Sequence, residues 1–213
     1  MEVRVVMRVM YVNNNNMLSC LFYISSCRFG GMDDVYIVEI VSTGNAGMPK
    51  DTVAEVGVCR MFADGSDFDT VFDGRVALDP RDIGAGSLDH LSQTYGIQPE
   101  ELYMGDDQSF VVEGFQKCVF GHECTSYDVN GTFGKYLCFE PWDATGELTL
   151  LPSYSIRLPR DIRNPPEGES AIAYASSRLC PDDPADVHGG RHAVDLAQMS
   201  ASVMMVLRKN GLF

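Results

Sequence analysis

Residues Val35 to Gly44 read V-Y-I-V-E-I-V-S-T-G, an apolar run of strand length that carries a single carboxylate, Glu39. Its alternation up to Glu39 and its stop at Ser42-Thr43-Gly44 predict a β-strand. Two further strands follow at short range. Asp51 to Met61, D-T-V-A-E-V-G-V-C-R-M, alternates in the same way, and Asp64-Gly65 marks a turn. Phe68 to Leu78 reads as a third strand, closed by Asp79-Pro80. Three consecutive strands with short connections predict an antiparallel meander.

Beyond the meander the pattern changes to helices and short strands. Leu88 to Tyr95 and Pro99 to Met104 are short helix candidates, and Asp106-Asp107 can cap a helix whose apolar face is Phe110, Val111, Gly114, Phe115 and Cys118. Val119-Phe120-Gly121 reads as a short buried strand, Tyr127 to Phe139 as a helix weakened by Gly131 and Gly134, and Glu140 to Thr149 as a loop. Ser153 to Leu158 reads as another short strand, followed by a loop from Pro159 to Gly168. Glu169 to Leu179 and the alanine-rich Arg191 to Lys209 read as helices. The last has Val194, Ala197, Ala201, Met204 and Met205 at core spacing and is stopped by Asn210-Gly211. Strands first, then helices alternating with short strands, predict an α/β fold. Its mixed central sheet, a meander followed by parallel strands, is flanked by helices, as in the ribonuclease H-like fold.

The chain has 213 residues, enough for one domain with a sizeable core, and a formal net charge of −14. That charge argues against gripping nucleic acid by charge alone, though not against a site that meets it through bound cations. Seven cysteines without a C-x-x-C pair predict reduced thiols and a cytoplasmic setting rather than a disulfide framework. Cys118, His122 and Cys124 lie close together without a second ligand pair, so Cys118 is expected at the start of a buried strand rather than in a zinc site.

Residues 1–31 differ from the rest, with an Asn13 to Asn16 tract between two apolar runs. The second run, M-L-S-C-L-F-Y-I-S-S-C, is too short to span a membrane and has the length of a signal-peptide core. The Asn tract and Glu2 speak against a signal peptide. The plainer expectation is a disordered extension, or a start at Met32, which leaves residues 32–213 as the domain.

Over residues 33–213 the order of these segments resembles the DEDDh family of 3′–5′ exonucleases. Members carry a first strand ending Asp-x-Glu-Thr-Thr-Gly. Here Glu39 stands at the Asp position and Val41 at the Glu position. Val53-Ala54-Glu55-Val56-Gly57 resembles the family's Ile-Glu-Ile-Gly-like second strand, and Leu78-Asp79-Pro80 its third strand end. Tyr95 to Leu102 resembles the turn and acidic helix that follow. Gly121-His122-Glu123 with Tyr127-Asp128 resembles the Gly-His-Asn strand end and aromatic-Asp pair, with one residue more than usual.

The resemblance implies four carboxylates holding two divalent cations, Mg or Mn, for in-line phosphodiester hydrolysis, with a histidine as general base. The last two roles fall on a His-x-Ala-x-x-Asp-Ala pattern, which meets Gly190-Arg191-His192-Ala193-Val194-Asp195-Leu196-Ala197 in two registers. Matching Ala193 and Ala197 puts Arg191 at the histidine and Leu196 at the aspartate. Matching Asp195 puts Gly190 at the histidine. Neither keeps both residues, and a one-residue offset on a helix turns a side chain by about 100°.

The resemblance thus leaves Glu39, Asp128, Asp195 and His192 as the remaining catalytic candidates, with Glu39 and Asp128 as metal ligands. Arg157, Arg160 and Arg163 form a basic run that could contact phosphates. The expectation is an exonuclease-like domain impaired or inactive in catalysis that binds single-stranded nucleic acid or a protein partner. The alternatives are an active metal-dependent 3′–5′ exonuclease with a rearranged site, and a protein-interaction module with no nucleic-acid role. No membrane partner is expected. His188 and His192, separated by Gly189-Gly190, are not expected to form a helical metal pair, and Asp182, Asp183 and Asp186 read as a solvated loop.

Overall fold

The first meander strand reads as an almost continuous apolar run because both of its faces are covered. In the computed structural model, which describes residues 5–14, 17–26, 33–167, 169–181 and 192–213, this strand is β3 (Val35–Ser42). It follows an N-terminal hairpin of β1 (Val5–Asn14) and β2 (Met17–Ser26). Next come β4 (Val53–Met61), β5 (Phe68–Arg75), α1 (Ala85–His90), α2 (Gln108–Val119), β6 (Glu123–Thr125) and β7 (Thr149–Leu150). The chain ends in α3 (Arg160–Arg163), α4 (Ala171–Leu179) and α5 (Ala193–Lys209). The sheet order is β2-β1-β7-β6-β3-β4-β5. β3, β4 and β5 pair antiparallel, whereas β6 and β7 lie parallel to β3. The meander followed by parallel strands is therefore present, as the sequence predicts, and the hairpin adds to it through the antiparallel pair Met7 and Leu150.

Alternation along β3 sorts its side chains between two cores. Tyr36 and Val38 pack with Val56 and Val58 of β4 against α2 (Val111, Phe115, Val119) and against Phe133 and Trp142. Val35 and Ile37 pack with Cys59 and Met61 against Ala197, Ala201 and Met204 of α5. Glu39 and Val41 continue this second set, so both face α5. Helix α5 crosses β4 closely at Gly57, where an added Cβ would run into the Ala193 carbonyl. Glycine is required there by backbone approach rather than by an unusual φ.

Several expected boundaries move. Val119-Phe120-Gly121 is not a strand. Val119 completes the buried stripe of Val111, Val112 and Phe115 on α2, and Gly121, at φ 83°, turns the chain into β6. Cys118 therefore lies on a helix rather than at a strand start. Ser153 to Leu158 forms a 3-10 turn over Tyr154–Arg157, and the strand lies earlier, at Thr149–Leu150, where the expected loop ends. Pro152 follows it and has no N–H with which to extend the ladder, while its carbonyl accepts from Thr125 Oγ1. The helix expected over Tyr127 to Phe139 is a π-helical segment, Asn130–Leu137, and Leu91–Tyr95 continues α1 in the same form. Asp182, Asp183, Asp186, His188 and Arg191 lie outside the described residues.

Candidate active site

The C-terminal half of β3, the end of β6 and the first turns of α5 meet at one place, and Glu39 lies at its centre. The residue is only 4% exposed. Oε1 accepts from the Tyr127 N–H just beyond β6 and from the Ser200 hydroxyl on α5, both at 2.8 Å. Ser200 in turn accepts from the buried Tyr154 hydroxyl at 2.6 Å. Burial drives the Glu39 pKa up to about 8; the two hydrogen bonds oppose the rise and the nearby Asp128 charge adds to it. At neutral pH the group is therefore mainly a neutral carboxylic acid that ties three elements together.

Val41, two residues on, lies in an apolar cluster with Ala54, Leu91, Ile97, Leu102, Ala193 and Leu196. Val41 and Leu196 are both buried, and the segments that follow α1 cover them. Ala193 and Ala197 face the sheet without exposure, which orients α5 with Leu196 inward, in the cluster that holds Val41.

The other sequence candidates are spread around this centre. Asp128 is exposed, and its backbone carbonyl accepts from Thr132 N–H at the start of the π-helical segment. Asp195 accepts from the His192 N–H at 3.3 Å, closing the first turn of α5. His192 turns to β4, where Nδ1 lies 2.9 Å from Glu55 Oε1. Glu55 Oε2 accepts from the Ala193 N–H at 3.0 Å, and the Arg75 guanidinium stands 3.9 Å from Oε1. Glu39 and Asp128 are thus near enough to interact through charge, while Asp195 and His192 are engaged at the α5 N-terminus. Arg157 and Arg160 are exposed and Arg163 is half-buried. The Arg163 carbonyl accepts from Tyr127 Oη at 3.0 Å, which links this basic segment to the residue that holds Glu39.

Glu55, Ser200 and Tyr154 are site residues for which the sequence reading gave no role. The signal for Glu55 was its position in the Glu55, Gly57, Cys59 alternation that faces α5. For Ser200 it was a polar residue inside the Ala193, Ala197, Ala201, Met204 stripe. Among the described residues, no three of His, Cys, Asp and Glu come together as a group able to hold a metal ion. The donors around Glu39 do not fit a two-cation centre. One Glu39 oxygen is occupied by two donors, and the adjoining positions are filled by Val41 and Leu196.

No family model and no curated protein matches the sequence. Solved structures do match the fold. Exonuclease I of E. coli in complex with a dA16 oligonucleotide aligns with a TM-score of 0.58 at 11% identity, over 85% of this chain and 42% of that one. Cell-death related nuclease 4 (CRN-4) aligns with a TM-score of 0.54 at 12% identity, over 84% of this chain and 65% of that one. The zinc-bound E. coli ExoI–ssDNA complex aligns with a TM-score of 0.53 at 13% identity, over 85% and 42%. The chain spans less than two thirds of the length of each. These likenesses show an exonuclease-like, ribonuclease H-like fold. Among the described residues no helix is long and apolar enough to cross a membrane.

Proposed function

We propose that this chain is a DEDDh-derived, cytoplasmic exonuclease-like domain that no longer cleaves phosphodiesters and acts by binding. The single observation that carries the reading is the shared burial of Val41 and Leu196 in one apolar cluster. In the family resemblance these two positions belong to carboxylates. Aliphatic groups there can neither ligate a cation nor tolerate one, because an unpaired ion in apolar surroundings is costly. The Tyr127 N–H and the Ser200 hydroxyl on Glu39 Oε1 support the same reading, since they take up an oxygen that a cation would need. The thiols of Cys59, Cys118 and Cys124, outside any disulfide, accord with a reducing setting.

The proposed ligand is single-stranded nucleic acid, held at the side of Arg157, Arg160 and Arg163. Exonuclease I, a fold neighbour, is described bound to a dA16 oligonucleotide. Anisotropy of a labelled single-stranded oligonucleotide tests the binding half of the proposal. Binding that weakens with salt and with Arg157→Ala plus Arg160→Ala is expected. Absence of salt-sensitive binding would transfer the reading to a domain that contacts protein alone. The cleavage half is tested separately, with divalent cations present.

A further inference from the structure

Five large hydrophobic side chains are markedly exposed among the described residues: Tyr103, Met104, Phe110, Ile156 and Leu212. Three of them stand within one short stretch of chain. Tyr103 is 55% exposed, Met104 79% and Phe110 67%. This stretch is anchored rather than loose. The Leu78 N–H donates to the Leu102 carbonyl, the Ala77 N–H to Asp106, and the Asp106 N–H to Arg75, so it lies along the continuation of β5. A Cβ on Gly105 would run into the Ala77 backbone. Asp107 then caps α2 through the Ser109 N–H at 2.8 Å, and this fixes the first turn that presents Phe110. A rigid backbone that holds apolar side chains out in water has the character of a binding surface, and an exposed Met adapts readily to a partner.

The surrounding charge selects the partner. Glu100, Glu101, Asp106 and Asp107 are all exposed within the same stretch. The nearby cations are already neutralised, Arg81 by Asp79 at 2.5 Å and Lys117 by Glu113 at 2.5 Å. Nucleic acid and anionic lipid would be repelled here, as would the same face of a second copy. We propose that Tyr103, Met104 and Phe110 form a docking surface for a cationic amphipathic protein segment, with the acidic ring meeting its Lys and Arg side chains. This surface does not use Glu39, Val41 or Leu196, so the inference stands apart from the fate of the candidate site.

The test is a titration of isotope-labelled full chain, followed by NMR, with two synthetic amphipathic helical peptides, one of Leu and Lys and one of Leu and Glu. The Lys peptide is expected to shift resonances over Tyr103 to Phe110 and to lose affinity at high salt. Met104→Ser with Phe110→Ser is expected to weaken it about tenfold or more, and Glu100→Lys with Asp106→Lys to weaken it while leaving the apolar groups in place. Failure of the Lys peptide to bind, equal binding of the Glu peptide, shifts confined to another face, or indifference to both variant pairs would each overturn the proposal.

Discussion

The Ser200 hydroxyl donates to Glu39 Oε1 at 2.8 Å across the interface of α5 and β3. With the Tyr127 N–H on the same oxygen, this bond turns a group of the kind that would bind a cation into part of the core. Ser200→Ala leaves the Tyr154 hydroxyl without its acceptor and Glu39 with one donor fewer. The variant is expected to lose about 1–2 kcal/mol by urea unfolding. Because the Ser200 bond holds the Glu39 pKa down, its removal is expected to raise that pKa further.

Glu39 also sets a pH dependence. Its carboxyl is raised from the ordinary 4.5 to about 8, so between these values the folded chain keeps a proton that the unfolded chain releases. The unfolded state binds fewer protons there, and stability falls as pH rises through this window, by up to ~1.4 kcal/mol per pH unit. The contribution is fully present below pH 4.5 and lost above about 8. Glu39→Gln keeps an acceptor oxygen without the ionisation. Denaturant midpoints measured across the window should flatten in this variant and exceed those of the parent at the alkaline end.

The aliphatic fill at Val41 and Leu196 predicts two different costs. Leu196→Ala opens a cavity between α5 and the covering segments and is expected to cost about 2–4 kcal/mol. Leu196→Asp places a carboxyl in the same apolar cluster and should cost more, with the difference shrinking at acid pH as that carboxyl protonates. If thermal unfolding shows Leu196→Asp as stable as the parent, the position is wet rather than apolar.

At the other end of the site, Glu55 accepts the Ala193 N–H and the His192 imidazole, joining the start of α5 to β4. Glu55→Ala is expected to cost on the order of 2 kcal/mol, since it leaves a buried N–H unpaired. Gly57→Ala should be worse, because the helix backbone leaves no room for a methyl. Amide exchange should then rise first in the opening turn of α5 and leave α2 protected.

The meander was legible because β3, β4 and β5 are runs of strand length and their connections are short. The end of α2 was not, because Val119 fits a buried strand as well as the last position of a helical stripe, and only packing against β3 and β4 separates the two. The short strand Thr149–Leu150 was misplaced because a two-residue strand carries no periodicity at all. In the site, Glu39 and Val41 were legible through their spacing. The Glu55–His192 contact was not, because it joins residues 137 apart in sequence. The register of α5 was open in the sequence, and the approach of Ala193 to Gly57 orients the helix with Leu196 inward.

Loss of phosphodiester cleavage is most directly tested by incubating the full chain with 5′-labelled single-stranded DNA and RNA in Mg²⁺ or Mn²⁺. Both substrates are expected to remain intact at enzyme-scale concentrations and times, for the parent and for Asp128→Ala alike. Metal-dependent shortening from the 3′ end that disappears in Asp128→Ala would contradict it, and would return Glu39 and Asp128 to the role of working ligands.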